Sequence, residues 1–197
     1  ISLLLALSLT AACGAAPSQP VPGSSSPASP APEDSSPTIT RLVIGLDDQF
    51  PPMGFRDEKN ELVGFDIDLA KAVCDKLGIE AVPTPINWSS KEFELNGGKV
   101  DVLWNGLTIT DARKEAMLMS PAYITNAQVI VVRKDSGIKT LADLGGKTVA
   151  LQEGSSAEEA YTACAAAGTE KELIKAPENI TLFSDLKIGR IDAVVID

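Results

Sequence analysis

Residues 41–104 read RLVIGLDDQFPPMGFRDEKNELVGFDIDLAKAVCDKLGIEAVPTPINWSSKEFELNGGKVDVLW. Arg41 to Leu46 form a short apolar run that predicts a strand ending near Asp47. Pro51 and Pro52 forbid its continuation, because proline lacks the amide donor that a ladder needs. Asp66 is the expected N-cap of a helix that places Ile67, Ala70, Val73, Cys74 and Leu77 on one face and Asp68, Lys71, Asp75 and Lys76 on the wet side, with Gly78 as its stop. Ile79 to Thr84 reads as a second strand, Ser90 to Asn96 as a short helix and Val100 to Trp104 as a third strand. Strands that alternate with helices require crossovers, and crossovers predict a mainly parallel, doubly wound sheet.

The pattern repeats toward the C-terminus. Val129 to Val132 (VIVV) suits a strand covered on both faces. Lys147 to Leu151 follows as a strand, Ser155 to Ala167 and Glu178 to Lys187 as helices, and Ile191 to Ile196 (IDAVVI) as a strand. The expected organisation is two doubly wound α/β lobes, residues 41–126 and 127–197, meeting near Thr125 to Gln128. Each lobe is expected to be incomplete, because the chain stops directly after a buried strand.

The first 40 residues read differently. Ile1 to Leu9 (ISLLLALSL) is too short for the roughly 20 apolar residues that span a bilayer, and it fits the core of a signal peptide. Small residues then lead into Cys13. The segment resembles the lipobox of bacterial lipoproteins, in which that Cys is lipidated, although Thr10 stands where Leu is favoured. Residues 1–13 are thus expected to be a signal peptide ending in a lipid anchor at Cys13. Of the 25 residues from Gly14 to Thr38, 20 are Pro, Ser, Ala or Gly, a composition that cannot offset its ordering entropy. Residues 14–40 are therefore expected to be a disordered linker.

Composition excludes several functions. The 197 residues carry 17 Lys+Arg, 27 Asp+Glu and no His, for a net charge of −10. A net acidic chain is a poor partner for nucleic acid, whose phosphates require a surplus of cations on one face. Lacking His, the chain has neither Ser-His-Asp nor Cys-His chemistry, and most zinc enzymes are excluded too. No Walker A, dinucleotide-glycine or GxSxG pattern occurs, and no cofactor or metal is expected. Cys74 and Cys164 read as buried thiols on apolar helix faces.

Ligands of open α/β sheets bind outside the carboxyl ends of strands, which directs attention to the loops Asp47 to Phe55, Asn105 to Arg113 and Gln152 to Ser156 and to whatever follows Asp197. Residues 105–113 (NGLTITDAR) set Gly106 and the Thr108 hydroxyl before a helix start near Thr110 that carries Arg113. A guanidinium fork beside exposed amides matches a carboxylate; the alternative for Arg113 is a surface ion pair. Ser155 and Ser156 stand at a strand-to-helix turn, either as an anion site or as ordinary caps. Asp197 ends a strand, where it either receives an ammonium group or is simply solvated. Phe50 and Trp88 are pocket-wall or core aromatics.

Four stretches together are similar to the extracellular solute-binding proteins of family 3: IGLDDQFPPMGF (44–55), ELVGFDIDLAKAV (61–73), GGKVDVLWNGLTITDAR (97–113) and GRIDAVVID (189–197). These are amino-acid receptors of ABC importers with a type II periplasmic-binding-protein fold, two lobes joined by a hinge. The resemblance implies that Phe50 packs on the ligand, that Asn105, Gly106 and Thr108 hold its amine and carboxylate, and that Arg113, with Ser155 and Ser156, binds the carboxylate. It implies that Asp197 binds the α-ammonium, with Asp47 and Trp88 bearing on side-chain preference. Met53 departs from the family's usual Phe. The implied protein is a monomeric, lipid-anchored receptor outside the cytoplasmic membrane that hands an amino acid to an ABC permease and catalyses nothing. Two rivals remain open at this point. Cyclohexadienyl or arogenate dehydratases resemble the same family, and a ligand-binding sensor domain would have the same lobes.

Overall fold

The computed structural model describes residues 38–197. The expected signal peptide, the Cys13 anchor and nearly all of the linker lie outside the described residues. The chain opens with β1 (Arg41–Leu46), a small meander of β2 (Gln49–Phe50), β3 (Gly54–Arg56) and β4 (Leu62–Val63), and then α1 (Phe65–Leu77). It continues through β5 (Glu80–Pro85), a 3-10 turn (Trp88–Ser90), α2 (Lys91–Asn96), β6 (Val102–Leu103) and α3 (Asp111–Ala116). A second series comprises β7 (Val129–Val132), a 3-10 turn (Leu141–Leu144), β8 (Thr148–Gln152), α4 (Ser156–Thr162), β9 (Glu172–Ala176), α5 (Asn179–Ile188) and β10 (Ala193–Ile196).

The first sheet has the order β5-β1-β6 and is parallel throughout, as the crossover argument requires. The second has the order β7-β10-β8-β9, with β8, β9 and β10 parallel. Its central strands, β8 and β10, are covered on both faces. Val149 and Leu151 face a cluster with Tyr161, Ala193 and Val195, whereas Ala150 and Val194 face Leu182, Leu186 and Ile191. That strict alternation is the pleat of a doubly covered strand, and it explains why β8 reads as a continuous apolar run.

Five expectations need correction. β7 runs antiparallel to β10 and is only partly covered, with Val129 47% exposed; a short apolar run does not by itself specify pairing direction. β9 was not foreseen, because ELIKA carries charge at both wet positions of a sheet edge. α4 stops at Thr162 instead of continuing to Ala167. Asp66 is not a cap. α1 begins one residue earlier behind Gly64, at φ 137°, where a Cβ would stand 2.4 Å from the Met53 carbonyl oxygen, so the site admits only glycine. Leu77, expected on the apolar face, is 65% exposed at the helix end.

Leu151, fully buried at the centre of the second sheet, should be a strong point of stability. Leu151→Ala is expected to cost about 2–5 kcal/mol, read as a lower urea midpoint at unchanged slope.

Candidate functional site

The carboxyl ends of β1, β6, β8 and β10 converge with the start of α4, and ten residues enclose one small space there: Asp47, Phe50, Trp88, Asn105, Gly106, Thr108, Arg113, Gln152, Ser156 and Asp197. Its volume is about 10 Å3, roughly the room of one water molecule. Larger hollows of about 620 and 610 Å3 lie beside β7 and along residues 117–126. They are lined mainly by aliphatic side chains, and neither brings opposite charges together.

Asp197 is the most heavily bonded group of the site. Its Oδ1 accepts from Thr108 Oγ1 at 2.7 Å and Ser156 Oγ at 3.2 Å, and also from Asn126 Nδ2 and Gln128 Nε2. Among the described residues, no donor reaches its other carboxylate oxygen. Arg113 follows Thr110, whose side chain caps α3. Arg113 is 8% exposed, and its guanidinium donates to the Thr108 carbonyl at 2.8 Å and, across to the turn after β8, to the Gly154 carbonyl at 3.3 Å. Burial lowers its pKa, and the negative charge of Asp197 opposes that shift. The two groups make no direct ion pair, yet both line the same space.

Asp47 ends β1. Its carboxylate accepts from the Gln49 amide at 2.8 Å and from Gln152 Nε2 at 2.6 Å. Burial raises its pKa, the bonds from Gln152 and Gln49 counteract this, and the nearby charges of Asp48 and Glu178 push in the same direction as burial. Gln152 is itself held by Asn179 and by the Pro177 carbonyl, so the Asp47–Gln152 bond is a second link between the end of β1 and the second sheet. Phe50 and Gly106 meet on the opposite wall. Gly106 has φ 59°, and a Cβ there would lie 3.3 Å from the Phe50 ring. Asn105 is 1% exposed, and neither its side-chain nitrogen nor its oxygen has a hydrogen-bond partner, an arrangement that normally costs about 1–3 kcal/mol.

Of the residues singled out in the sequence, Asp47, Phe50, Trp88, Asn105, Gly106, Thr108, Arg113, Ser156 and Asp197 are brought together, and Ser155 is not. Ser155 Oγ turns back to the Gln152 carbonyl at 2.7 Å and caps nothing. α4, at seven residues, supplies the amides of its first turn and little macrodipole. Sequence reasoning missed Gln152, Gln128, Asn126 and Lys91. Gln152 was legible as the polar end of a strand that points into the cleft. The others stand on loops or a helix with no motif to mark them. Cys74 is buried in α1, Cys164 is partly buried just beyond α4, and both are free thiols.

Behind the cleft, Asp66 accepts from the Gly106 amide and from Tyr123 Oη at 2.8 Å. Burial raises the pKa of Asp66, and burial with the Asp66 bond raises that of Tyr123. This carboxylate, expected as a helix cap, instead fixes the Gly106 turn. Asp66→Ala leaves a part-buried amide without its acceptor and frees the half-exposed Tyr123, and a loss of about 1 kcal/mol is expected in denaturant titration; an unchanged midpoint would remove Asp66 from this role.

The sequence profile of the bacterial extracellular solute-binding proteins, family 3, matches residues 42–181. The chain is 33% identical over 158 residues to the L-cystine-binding protein TcyJ of Escherichia coli (strain K12), covering 79% of this chain and 58% of that protein. It therefore spans less than two thirds of that relative. A solved structure of an ancestral arginine-binding protein bound to arginine superimposes with a TM-score of 0.75 at 42% identity, over 80% of this chain and 70% of that one. An ancestral amino-acid-binding protein described as a precursor of cyclohexadienyl dehydratase superimposes with a TM-score of 0.75 at 34% identity, over 80% of this chain and 70% of that one.

Proposed function

The chain belongs to the bacterial extracellular solute-binding proteins of family 3 and has their type II periplasmic-binding-protein fold; from that premise we propose that it is the amino-acid-capturing component of an ABC importer. One observation carries the reading: Arg113 and Asp197 line one shared space without bonding each other. A zwitterion buried there brings two charges, each costing several kcal/mol if left uncompensated. Arg113, with the first amides of α4 at Ser156, takes the carboxylate. The oxygen of Asp197 that receives no donor takes the ammonium, and Thr108 and the Gly106 turn supply further polar contacts. Phe50 and Trp88 wall the side chain, and Asp47 stands where that side chain ends.

A space of about 10 Å3 is far below the roughly 300 Å3 and more of ordinary ligand pockets. Residues 41–126 and 127–197 therefore act as two lobes that separate to admit the ligand and close over it, flexing near Thr125 to Gln128. The protein works outside the cytoplasmic membrane as a monomer held by a lipid on Cys13, presents its closed form to the permease and performs no chemistry. The dehydratase reading has its own support in the structural likeness to a dehydratase precursor. It requires an acid/base pair at the cleft, and the buried Asp47 carboxyl with its raised pKa is the group that would serve.

Calorimetry of the chain with L-arginine, L-cystine and L-histidine is expected to show binding that Arg113→Ala weakens at least about a hundredfold, the scale of a buried charge-assisted contact. Unchanged affinity in the variant would refute the assigned role, and turnover of prephenate or arogenate would favour the dehydratase.

A further inference from the structure

Lys91, at the start of α2 in the first half, is 3% exposed. Its ammonium donates to the Gly154 carbonyl of the second half at 2.7 Å and to the Trp88 carbonyl at 3.3 Å, and it stands 5.3 Å from the centre of the Trp88 ring. Arg113 donates to the same Gly154 oxygen. Two cations thus converge on one neutral acceptor. Among the described residues, Lys91 forms no ion pair with a carboxylate. The charged groups nearest it are Arg113 of α3, Glu92 of its own helix and Glu158 of α4, and Glu158 is already bonded to Lys175. The contact has no slack. Gly154 has φ 70°, and a Cβ on it would lie 3.0 Å from Ser89 Cα, so backbone touches backbone and no water fits between.

We propose that Lys91 is a brake on closure: when the halves come together they bury its ammonium beside Arg113 with, among the described residues, only carbonyls as partners, and the closed form carries that penalty for as long as the ammonium stays charged. On the amino-acid reading above, closure accompanies capture of the ligand, so part of the binding energy goes into overcoming the brake. An unpaired buried charge costs more than its hydrogen bonds return, and replacing it by an apolar group of similar volume is commonly neutral or stabilising. An empty receptor therefore stays open.

The pH dependence has a definite sign. With the halves apart the ammonium is hydrated and keeps its ordinary pKa. In the closed form burial, followed by the charge of Arg113, lowers it to about 8, against smaller opposing effects of Glu92 and Glu158. Closure therefore expels a proton between that value and the ordinary one. The penalty is fully present below about pH 8 and fades as pH rises toward the ordinary lysine range.

The test measures affinity for L-arginine, L-histidine and L-cystine by calorimetry from about pH 7 to about pH 10 in the wild-type chain, Lys91→Met and Lys91→Gln, with thermal melting as the check that each is folded. Titration of the amino acid itself cancels in the ratio of variant to wild-type affinity. The expected result is that both neutral variants bind several-fold more tightly at pH 7, with a ratio that shrinks toward one as pH rises. A constant ratio, or weaker binding by the variants, overturns the proposal. Should no amino acid bind the wild type, the receptor reading fails, and small-angle scattering of the free chain decides the brake alone. The wild type should contract as pH rises while both variants are contracted throughout, and identical profiles would overturn it.

Discussion

Thr108, Asn126, Gln128 and Ser156 all donate to one oxygen of Asp197, and they come from the loop after β6, the crossing between the halves and the first turn of α4. Four donors aimed at one point define a site for negative charge, because each is satisfied only by an acceptor. The carboxylate therefore fixes the geometry of everything around it. It sets the crossing segment against the second sheet and holds the Thr108 loop, on which Arg113 also bonds. The position of one anion thus determines where the opposite cation stands.

That arrangement separates two roles that a single ion pair would confuse. Had Arg113 and Asp197 bonded each other, their charges would be mutually spent and a guest would have to break the pair. Arg113 instead rests on the carbonyls of Thr108 and Gly154. Neutral acceptors compensate a buried guanidinium only partly, so an incoming carboxylate improves on them. Lys91 likewise rests, among the described residues, on carbonyls alone. Asp66 does comparable work out of sight by tying the Gly106 turn to Tyr123.

Much of this was legible in the chain itself. The strand-helix alternation of 41–104 specified the parallel first sheet, since parallel neighbours need long crossovers. The same rule located the cleft at the strand ends, and nine of the residues chosen there share the enclosed space. What escaped has physical reasons. β9 is a charged edge strand whose pairing is visible only once β8 exists beside it. Asp66 looked like a cap because Asp before an apolar helix usually is one, but Gly64 already closes that end and the carboxylate is drawn to Gly106, forty residues away. Ser155 and Ser156 are adjacent and chemically identical, and only the turn at Gly154 decides which faces the cleft. Long-range partners of this kind leave no periodic trace.

The central claim is that the two halves recognise opposite ends of one small zwitterion. The most direct measurement compares affinity for an amino acid with that for its decarboxylated amine and its deaminated acid, in the unaltered chain at one pH. The account predicts that removing either end costs at least about a hundredfold, because each truncation leaves Arg113 or Asp197 facing no opposite charge. Binding of either truncated compound as tightly as the intact amino acid would contradict it.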